Sequence, residues 1–366
     1  MSRILCISHS SGLHGAERVL LAAIRALRNA GNEVWVVVPS IVPNEGLCQA
    51  IQTLVGETHL LRLPYRAAGQ NRLRTRLVQL YNGYAELRLT QFVRKQHIDT
   101  IYSNTSWTIL GAEVARCTSV RHIWHFHEPV SKLYGWAPAL RGIYRRLVRT
   151  ESNTIVFISR QQREEWKNEL VVPFHNIVIY NPVASLSRLP KEPHKSLRIG
   201  FAGEFAERKN IPMLLRAFSR FHRNFPNSEL WLCGAKDEQQ KKEYEQRGCQ
   251  GVRVLLSTSD ISRFYSQIDI FALPSYRESW GLVGIEAMSA GVCTILTAQT
   301  CLSEIYEAEK DCLFVDPLNE DAWVSAFERC TNDTFRQTMA HRGQITTQQL
   351  HFNEQFDEQI AKLLCA

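Results

Sequence analysis

Between residues 270 and 296 the chain reads as strand, glycine-bearing turn, short apolar helix, strand. The apolar run Ile270-Phe-Ala-Leu273 leads into Pro274-Ser-Tyr-Arg-Glu278-Ser-Trp280-Gly281-Leu282-Val-Gly284-Ile-Glu286-Ala-Met-Ser-Ala-Gly291, and Val292-Cys-Thr-Ile-Leu296 follows. Uninterrupted apolar strands joined through a helix belong to a parallel sheet covered on both faces, which restricts the chain to the α/β class. In such sheets ligands bind beyond the C-terminal ends of the strands. Gly281 and Gly284 let the backbone approach a ligand there. The N–H groups at a helix start, here around Trp280, Gly281 and Leu282, attract an anion. Glu278 and Glu286, with seven residues between them, would repel a phosphate. They suit hydroxyl groups on either side of one, on a sugar and on a ribose. The plainer reading is a loop glutamate and a helix-capping glutamate.

The same alternation fills the chain. Ile4-Leu-Cys-Ile-Ser8, a turn holding Gly12, His14, Gly15 and Glu17, a helix through Val19, Leu20, Ala23, Ile24 and Leu27, and Val34-Trp-Val-Val-Val38 make a βαβ unit. Gly12 and Gly15 do not form the G-x-G-x-x-G of a dinucleotide site. Strands are expected at 60–63, 100–104, 121–127 and 154–158. A helix is expected from Trp107 to Arg116, and a long basic one from about 71 to 96. The latter's apolar face is Leu73, Leu77, Leu80, Tyr84, Leu87, Phe92 and Val93. Residues 183–196, rich in Ser, Pro, Lys, Glu and His, read as a linker. The pattern then restarts with Leu197-Arg-Ile-Gly-Phe-Ala202, a turn at Gly203, a helix from Ile211, and strands at 229–234 and 252–256. Helices follow at about 319–330 and 333–342, and a last amphipathic one from Phe352 to Leu364. The expected division is a domain at 1–183, a linker at 184–196, a domain at 197–345 and a terminal helical segment at 346–366.

A length of 366 residues is natural for two domains. No run of about 18 apolar residues marks a membrane span, and Met-Ser-Arg-Ile-Leu-Cys-Ile enters a strand without a signal-peptide core. The 10 cysteines show no paired spacing and read as free thiols of a cytoplasmic protein. The net charge of +7 is uneven. Between 62 and 95 stand Arg62, Arg66, Arg72, Arg74, Arg76, Arg88, Arg94 and Lys95, with Glu86 the only acid; between 132 and 149 stand Lys132, Arg141, Arg145, Arg146 and Arg149, with none. Such runs suit an anionic lipid surface, a lipid-linked diphosphate or nucleic acid, or are a solvated helix face. Tyr134, Trp136, Tyr144 and Leu147 among the second set suit an interfacial helix, or equally a core helix with a basic outer face.

Arg121-His122-Ile-Trp-His125-Phe-His127-Glu128-Pro129 reads as a strand whose alternation puts His125 and His127 on one face. No third residue signals a metal site. Satisfied core histidines are the plain alternative.

The Glu278–Glu286 stretch, with its Pro-Ser and Glu-Ala-Met flanks, resembles the E-x7-E signature of retaining glycosyltransferases of the GT-B fold, in particular their family four. The resemblance implies an α/β chain with two Rossmann-like domains facing a central cleft and a C-terminal helix crossing back to the first domain. It implies a UDP- or GDP-sugar donor held mainly by the second domain, with Glu286 on the ribose and Glu278 on the sugar. Gly203-Glu204-Phe-Ala-Glu207-Arg208-Lys209-Asn210 resembles the family's Gly-Arg…Lys-Gly loop. It puts Lys209, helped by Arg208, on the departing diphosphate, although Glu204 stands for the arginine and Asn210 for the glycine. The turn at 12–17 is similar to Gly-Gly-x-Glu; Gly15 and Glu17 match, His14 does not. His127 matches the histidine that bonds a donor-sugar hydroxyl, with His125 the fallback.

No Asp-x-Asp element occurs, so metal-free transfer with no cofactor is expected, the positive groups replacing a cation. The implied acceptor is a glycan or lipid-linked glycan in cell-envelope polysaccharide synthesis. Peripheral contact at the inner face of the membrane is expected through 62–95 and 132–149, and no nucleic-acid partner. Nucleotide-sugar 2-epimerases and glycan phosphorylases share the fold. Glu204 and His14 also keep open a GT-B binding protein with weak catalysis.

Overall fold

The computed structural model describes residues 1–10, 12, 15–40, 45–66, 72–131, 140–150, 153–183, 186, 189–190, 194–258 and 260–365. His14, Lys132, Tyr134, Trp136 and the side chains of Arg72, Leu73, Arg74 and Arg76 lie outside that set. The chain divides into two units, Met1–Pro182 with Phe352–Ala366, and Val183–His351.

The first unit holds strands β1 (Arg3–Ile7), β2 (Glu33–Pro39), β3 (Leu60–Leu63), β4 (Thr100–Ser103), β5 (Arg121–Phe126), β6 (Asn153–Phe157) and β7 (His175–Val178). Between them run α1 (Gly15–Asn29), α2 (Glu45–Val55), α3 (Arg72–Gln96), α4 (Leu110–Thr118), α5 (Arg141–Val148) and α6 (Arg160–Leu170). The sheet is parallel, in the order β3-β2-β1-β4-β5-β6-β7. Along β2, Val34, Val36 and Val38 enter one core cluster while Trp35 and Val37 enter another, so both faces are dry. That double burial is why these strands read as unbroken apolar runs.

The second unit holds β8 (Leu197–Ala202), β9 (Ser228–Ala235), β10 (Val252–Leu256), β11 (Ile270–Leu273), β12 (Cys293–Thr297) and β13 (Leu313–Val315). Its helices are α7 (Ile211–Asn224), α8 (Glu238–Arg247), α9 (Ile261–Ser266), α10 (Leu282–Ser289), α11 (Glu320–Arg329) and α12 (Asp333–Gln349). Its parallel order is β10-β9-β8-β11-β12-β13. In both sheets the order reverses beside the first strand, and ligands of such sheets bind at that reversal. A last helix, α13 (Phe352–Cys365), returns to the first unit, where Phe356, Ile360 and Leu364 join the core under α1. This crossing back is the expected one.

Three elements differ from expectation. Much of the apolar stripe of α3 faces water. Leu77, Leu80, Tyr84 and Leu87 are exposed, Leu80 by 79%, while Phe92 and Val93 of that stripe pack on the core beside Ala85 and Leu89. Trp107 lies on a loop, because α4 starts only at Leu110. Helix α12 runs on to Gln349. Its late turns pack through Gly343 and through Gln344, which donates to the Ser289 carbonyl at 2.9 Å. Such polar contacts leave no hydrophobic periodicity to read.

At the C-terminal edge of the second sheet two glycines touch. Gly234 has φ +133°, and a Cβ there would lie 2.0 Å from the Gly203 carbonyl oxygen. Gly234→Ala is expected to destabilise the chain by about 3 kcal/mol or more, read as a lowered urea midpoint, since backbone rather than a flexible side chain must give way.

Candidate functional site

In the second unit the loops after β8, β11 and β12 meet. The Lys209 ammonium donates to Glu278 Oε1 at 2.6 Å, and Ser275 Oγ donates to the same oxygen at 2.5 Å. Both charged residues are 7% exposed. Burial alone would raise the Glu278 carboxyl. Lys209, then Ser275 and Arg208, outweigh it and hold the group below the ordinary carboxylate range. Burial pulls Lys209 down, opposed by Glu278. The result is a desolvated ion pair at the strand ends. Glu278 is fixed from its backbone too: its N–H bonds the Gln299 carbonyl at 2.9 Å, and it bridges Thr300.

Arg208 lies 3.2 Å from Glu204, so the acid standing where the resemblance expects an arginine pairs with the neighbouring one at the surface. Its carbonyl accepts from the Tyr276 N–H at 3.0 Å. Asn210 is buried with φ +53°, a left-handed conformation that asparagine tolerates better than most residues. Its amide donates to the Pro317 carbonyl at 2.9 Å and the Pro274 carbonyl at 3.3 Å, tying three loops together. Gly203 sits at φ +144° before this turn.

Gly281 caps α10 at φ +78°, where a side chain would be strained. Leu282 is the first helical residue, and Trp280 is buried just before it. Glu286 is buried on α10, its Oε2 lying 3.2 Å from the Tyr265 hydroxyl. The structure therefore brings Lys209, Arg208 and Glu278 together and places Glu286 on the helix that follows. Ser275, Asn210 and Tyr265 are the partners that sequence reasoning missed. A serine in Pro274-Ser275 and an asparagine at the glycine position were the available signals.

The expected histidine follows β5, one strand beyond the reversal between β1 and β4 in the first unit. His125 Nδ1 lies 2.6 Å from the Tyr102 hydroxyl, which donates to Asn104 Oδ1 at 3.0 Å; His127 Nε2 lies 3.0 Å from that same oxygen. Asn104 Nδ2 donates to the Ala16 carbonyl at 2.7 Å, which fixes the amide orientation. His127 then carries its proton on Nε2, leaving Nδ1 a lone-pair acceptor, an assignment made from this network. Burial, with His125 beside it, holds His127 well below the usual histidine range, so it is neutral at pH 7. His125 lies deeper in the strand, and burial lowers it to about 3. Gly15 is the exposed first residue of α1, and Glu17 is buried in its first turn, 3.5 Å from His9 Nδ1.

Of the second basic run, three arginines are engaged within the protein. Arg141 pairs with Glu169, Arg146 with Glu113, and Arg145 bonds the Leu170 carbonyl; Tyr144 and Leu147 are buried. Residues 141–148 are thus a core helix with a basic outer face.

Residues 186–347 match the family described as "Glycosyl transferases group 1", and residues 13–185 match "Glycosyltransferase Family 4". The chain is 24% identical over 238 residues to a D-inositol 3-phosphate glycosyltransferase of Salinispora tropica, covering 59% of this chain and 49% of that one. It spans about half the length, or less, of the first curated relatives it matches. Among solved structures it resembles Anabaena HepE in complex with UDP and glucose, with a TM-score of 0.81, 18% identity and 100% of both chains covered. That protein has also been solved with UDP-glucose. Sucrose-phosphate synthase of Thermosynechococcus elongatus is similar at a TM-score of 0.79 and 18% identity, with 99% of both chains covered.

Proposed function

The chain belongs to family four of the glycosyltransferases and has the GT-B fold, and from that premise we propose that it is a retaining enzyme moving a sugar from a UDP- or GDP-sugar to a glycan or lipid-linked acceptor of the cell envelope. The observation that carries this reading is the buried Lys209–Glu278 pair beside Arg208, at the reversal point of the second sheet. Lys209 and Arg208 neutralise the departing diphosphate together with the N–H groups at the start of α10. Glu278 takes hydroxyls of the sugar and Glu286 those of the ribose. His127 offers Nδ1 to a hydroxyl of the donor sugar. The bond from the anomeric carbon to the diphosphate breaks as the acceptor oxygen bonds that carbon on the same face. The acceptor's proton passes to the leaving phosphate oxygen. Fixed cations placed where charge develops do the work of a metal ion, so transfer is expected to survive EDTA.

The Anabaena neighbour's complex with UDP-glucose supports a nucleotide-sugar donor. The test is a thermal-shift panel of UDP, GDP, ADP and their sugars, since a ligand of the folded state raises its melting temperature. One nucleotide series is expected to stand out. No shift with any would remove the reading, and diphosphate release without acceptor would point to a 2-epimerase.

We also place a lipid surface against α3. Leu77, Leu80, Tyr81, Tyr84 and Leu87 are exposed at three- and four-residue spacing, and Arg88, Arg94 and Lys95 continue the outward face. An exposed apolar stripe followed by cations suits an anionic interface, each base adding about 1 kcal/mol and each inserted leucine about 2 kcal/mol. No helix among the described residues is long and apolar enough to cross a membrane. Sedimentation with phosphatidylglycerol vesicles is expected to weaken about 10³-fold in Leu80→Ser/Leu87→Ser. Equal binding of both proteins would count against this surface.

A further inference from the structure

Trp107 is given no task by the donor site or the lipid-facing helix. It is 37% exposed, and it stands on the loop after β4 at the reversal point of the first sheet. That loop is unusually well fastened. The buried Glu128 carboxylate accepts from Thr105 Oγ1 at 2.9 Å, from the Ser106 N–H at 2.9 Å and from Ser106 Oγ at 2.6 Å. The Trp124 indole N–H donates to the Thr105 carbonyl at 2.6 Å, and the Tyr144 hydroxyl to that of Ser106. The Trp107 N–H itself donates to Thr105 Oγ1 at 2.9 Å. A buried charge is costly, and here it serves to fix three residues, Thr105 to Trp107, that end in a solvent-facing indole.

The indole's surroundings are polar in a particular way. The His9 ring meets it edge-on, with centroids 5.4 Å apart and planes at 61°. His9 Nδ1 faces Glu17 at 3.5 Å, and Asn104 and His127 stand on the neighbouring strand ends. A rigid aromatic face with an imidazole at its rim, backed by the buried Glu17 carboxylate, fits a ring that is apolar on its flat side and hydroxylated at its edge. A pyranose has that form; an acyclic polyol or a single side-chain hydroxyl does not. Two rigid χ angles also make tryptophan cheap in entropy as a contact surface.

We propose that Trp107 is the platform on which a pyranose ring of the acceptor stacks, with His9 bonding a hydroxyl at its rim, so that the acceptor is recognised as a saccharide. The proposal rests on the sugar-transfer reading and deepens it. Trp107 and His9 are assigned to acceptor choice, separate from the diphosphate.

Saturation-transfer NMR on the full chain without donor tests it, using methyl β-D-glucopyranoside, methyl β-D-galactopyranoside and methyl α-D-mannopyranoside against sorbitol and glycerol. At least one glycoside is expected to receive saturation on its axial ring C–H protons, and the polyols none. Trp107→Ala weakens that glycoside at least 10-fold, Trp107→Tyr by less than 3-fold, and His9→Ala by about 3- to 10-fold, while nucleotide-induced thermal shifts are unchanged. Glycosides that bind no better than sorbitol, or that bind Trp107→Ala and His9→Ala as well as the parent, overturn the proposal. If Trp107→Ala does not fold, Trp107→Tyr and His9→Ala decide. Glycoside binding lost with Trp107, in a chain that no nucleotide stabilises, keeps this site and removes the transfer reading; the converse removes only this site.

Discussion

Lys209→Met is expected to cost the chain about 3–5 kcal/mol of stability, because it leaves the Glu278 carboxylate buried without its cation. Lys209→Met/Glu278→Gln should recover most of that loss. The second change removes the stranded charge, and a buried ion pair replaced by neutral groups of similar volume is close to neutral in stability. Transfer behaves differently. If Lys209 stabilises a leaving diphosphate, kcat/KM stays about 10²- to 10³-fold down in both variants, the usual cost of deleting one fixed donor at a developing charge. Urea unfolding beside steady-state rates separates the two effects. A double variant that recovers both stability and rate would reduce the pair to a structural contact.

The second large effect is acid sensitivity from the first unit. His122 lies between Ser103 Oγ at 2.9 Å and Asn153 Oδ1 at 2.7 Å, and His125 beside Tyr102. Burial lowers His122 to about 4, opposed by its bond to Asn153, and lowers His125 to about 3. Both folded values lie below the unfolded one, near 6.5, so between those limits the unfolded chain binds more protons. Stability is therefore full above pH 6.5 and falls as the pH drops toward the folded values. Each histidine contributes a slope of about 1.4 kcal/mol per pH unit, so these two are expected to remove about 4 kcal/mol between neutral pH and pH 5, and His127, held low by burial, adds to the fall in the same window. Glu278, whose folded carboxyl is lowered, adds a loss only at more acid pH, below the unfolded carboxyl range near 4.3. Urea midpoints at pH 7 and pH 5 measure the fall, and His125→Gln should flatten it by about a third. An equal slope in that variant would mean that His125 is not held neutral.

Most of the architecture was legible because parallel strands buried on both faces announce themselves as apolar runs. Ile270–Leu273 and Cys293–Thr297 fall where the runs do, and the apolar positions of α13 repeat every four residues. What escaped were decisions made by tertiary contacts. Leu77, Leu80, Tyr84 and Leu87 form a good amphipathic face, yet periodicity does not say whether such a face meets the core or the outside. At the site, strand ends located Lys209 and Glu278, but nothing in the sequence tells that residues 69 positions apart bond each other. Reading them as separate contacts to diphosphate and sugar missed that each satisfies the other. Asn210 looked like a lost glycine, whereas it holds a left-handed backbone conformation and makes two side-chain bonds besides.

The most direct test of the central claim is calorimetric titration of UDP and GDP in EDTA into the parent chain and into the folded Lys209→Met/Glu278→Gln variant. The account predicts one diphosphate bound per parent chain without metal, and at least 100-fold weaker binding to the variant. Equal affinity in the two proteins, or binding that appears only when magnesium is added, would contradict it.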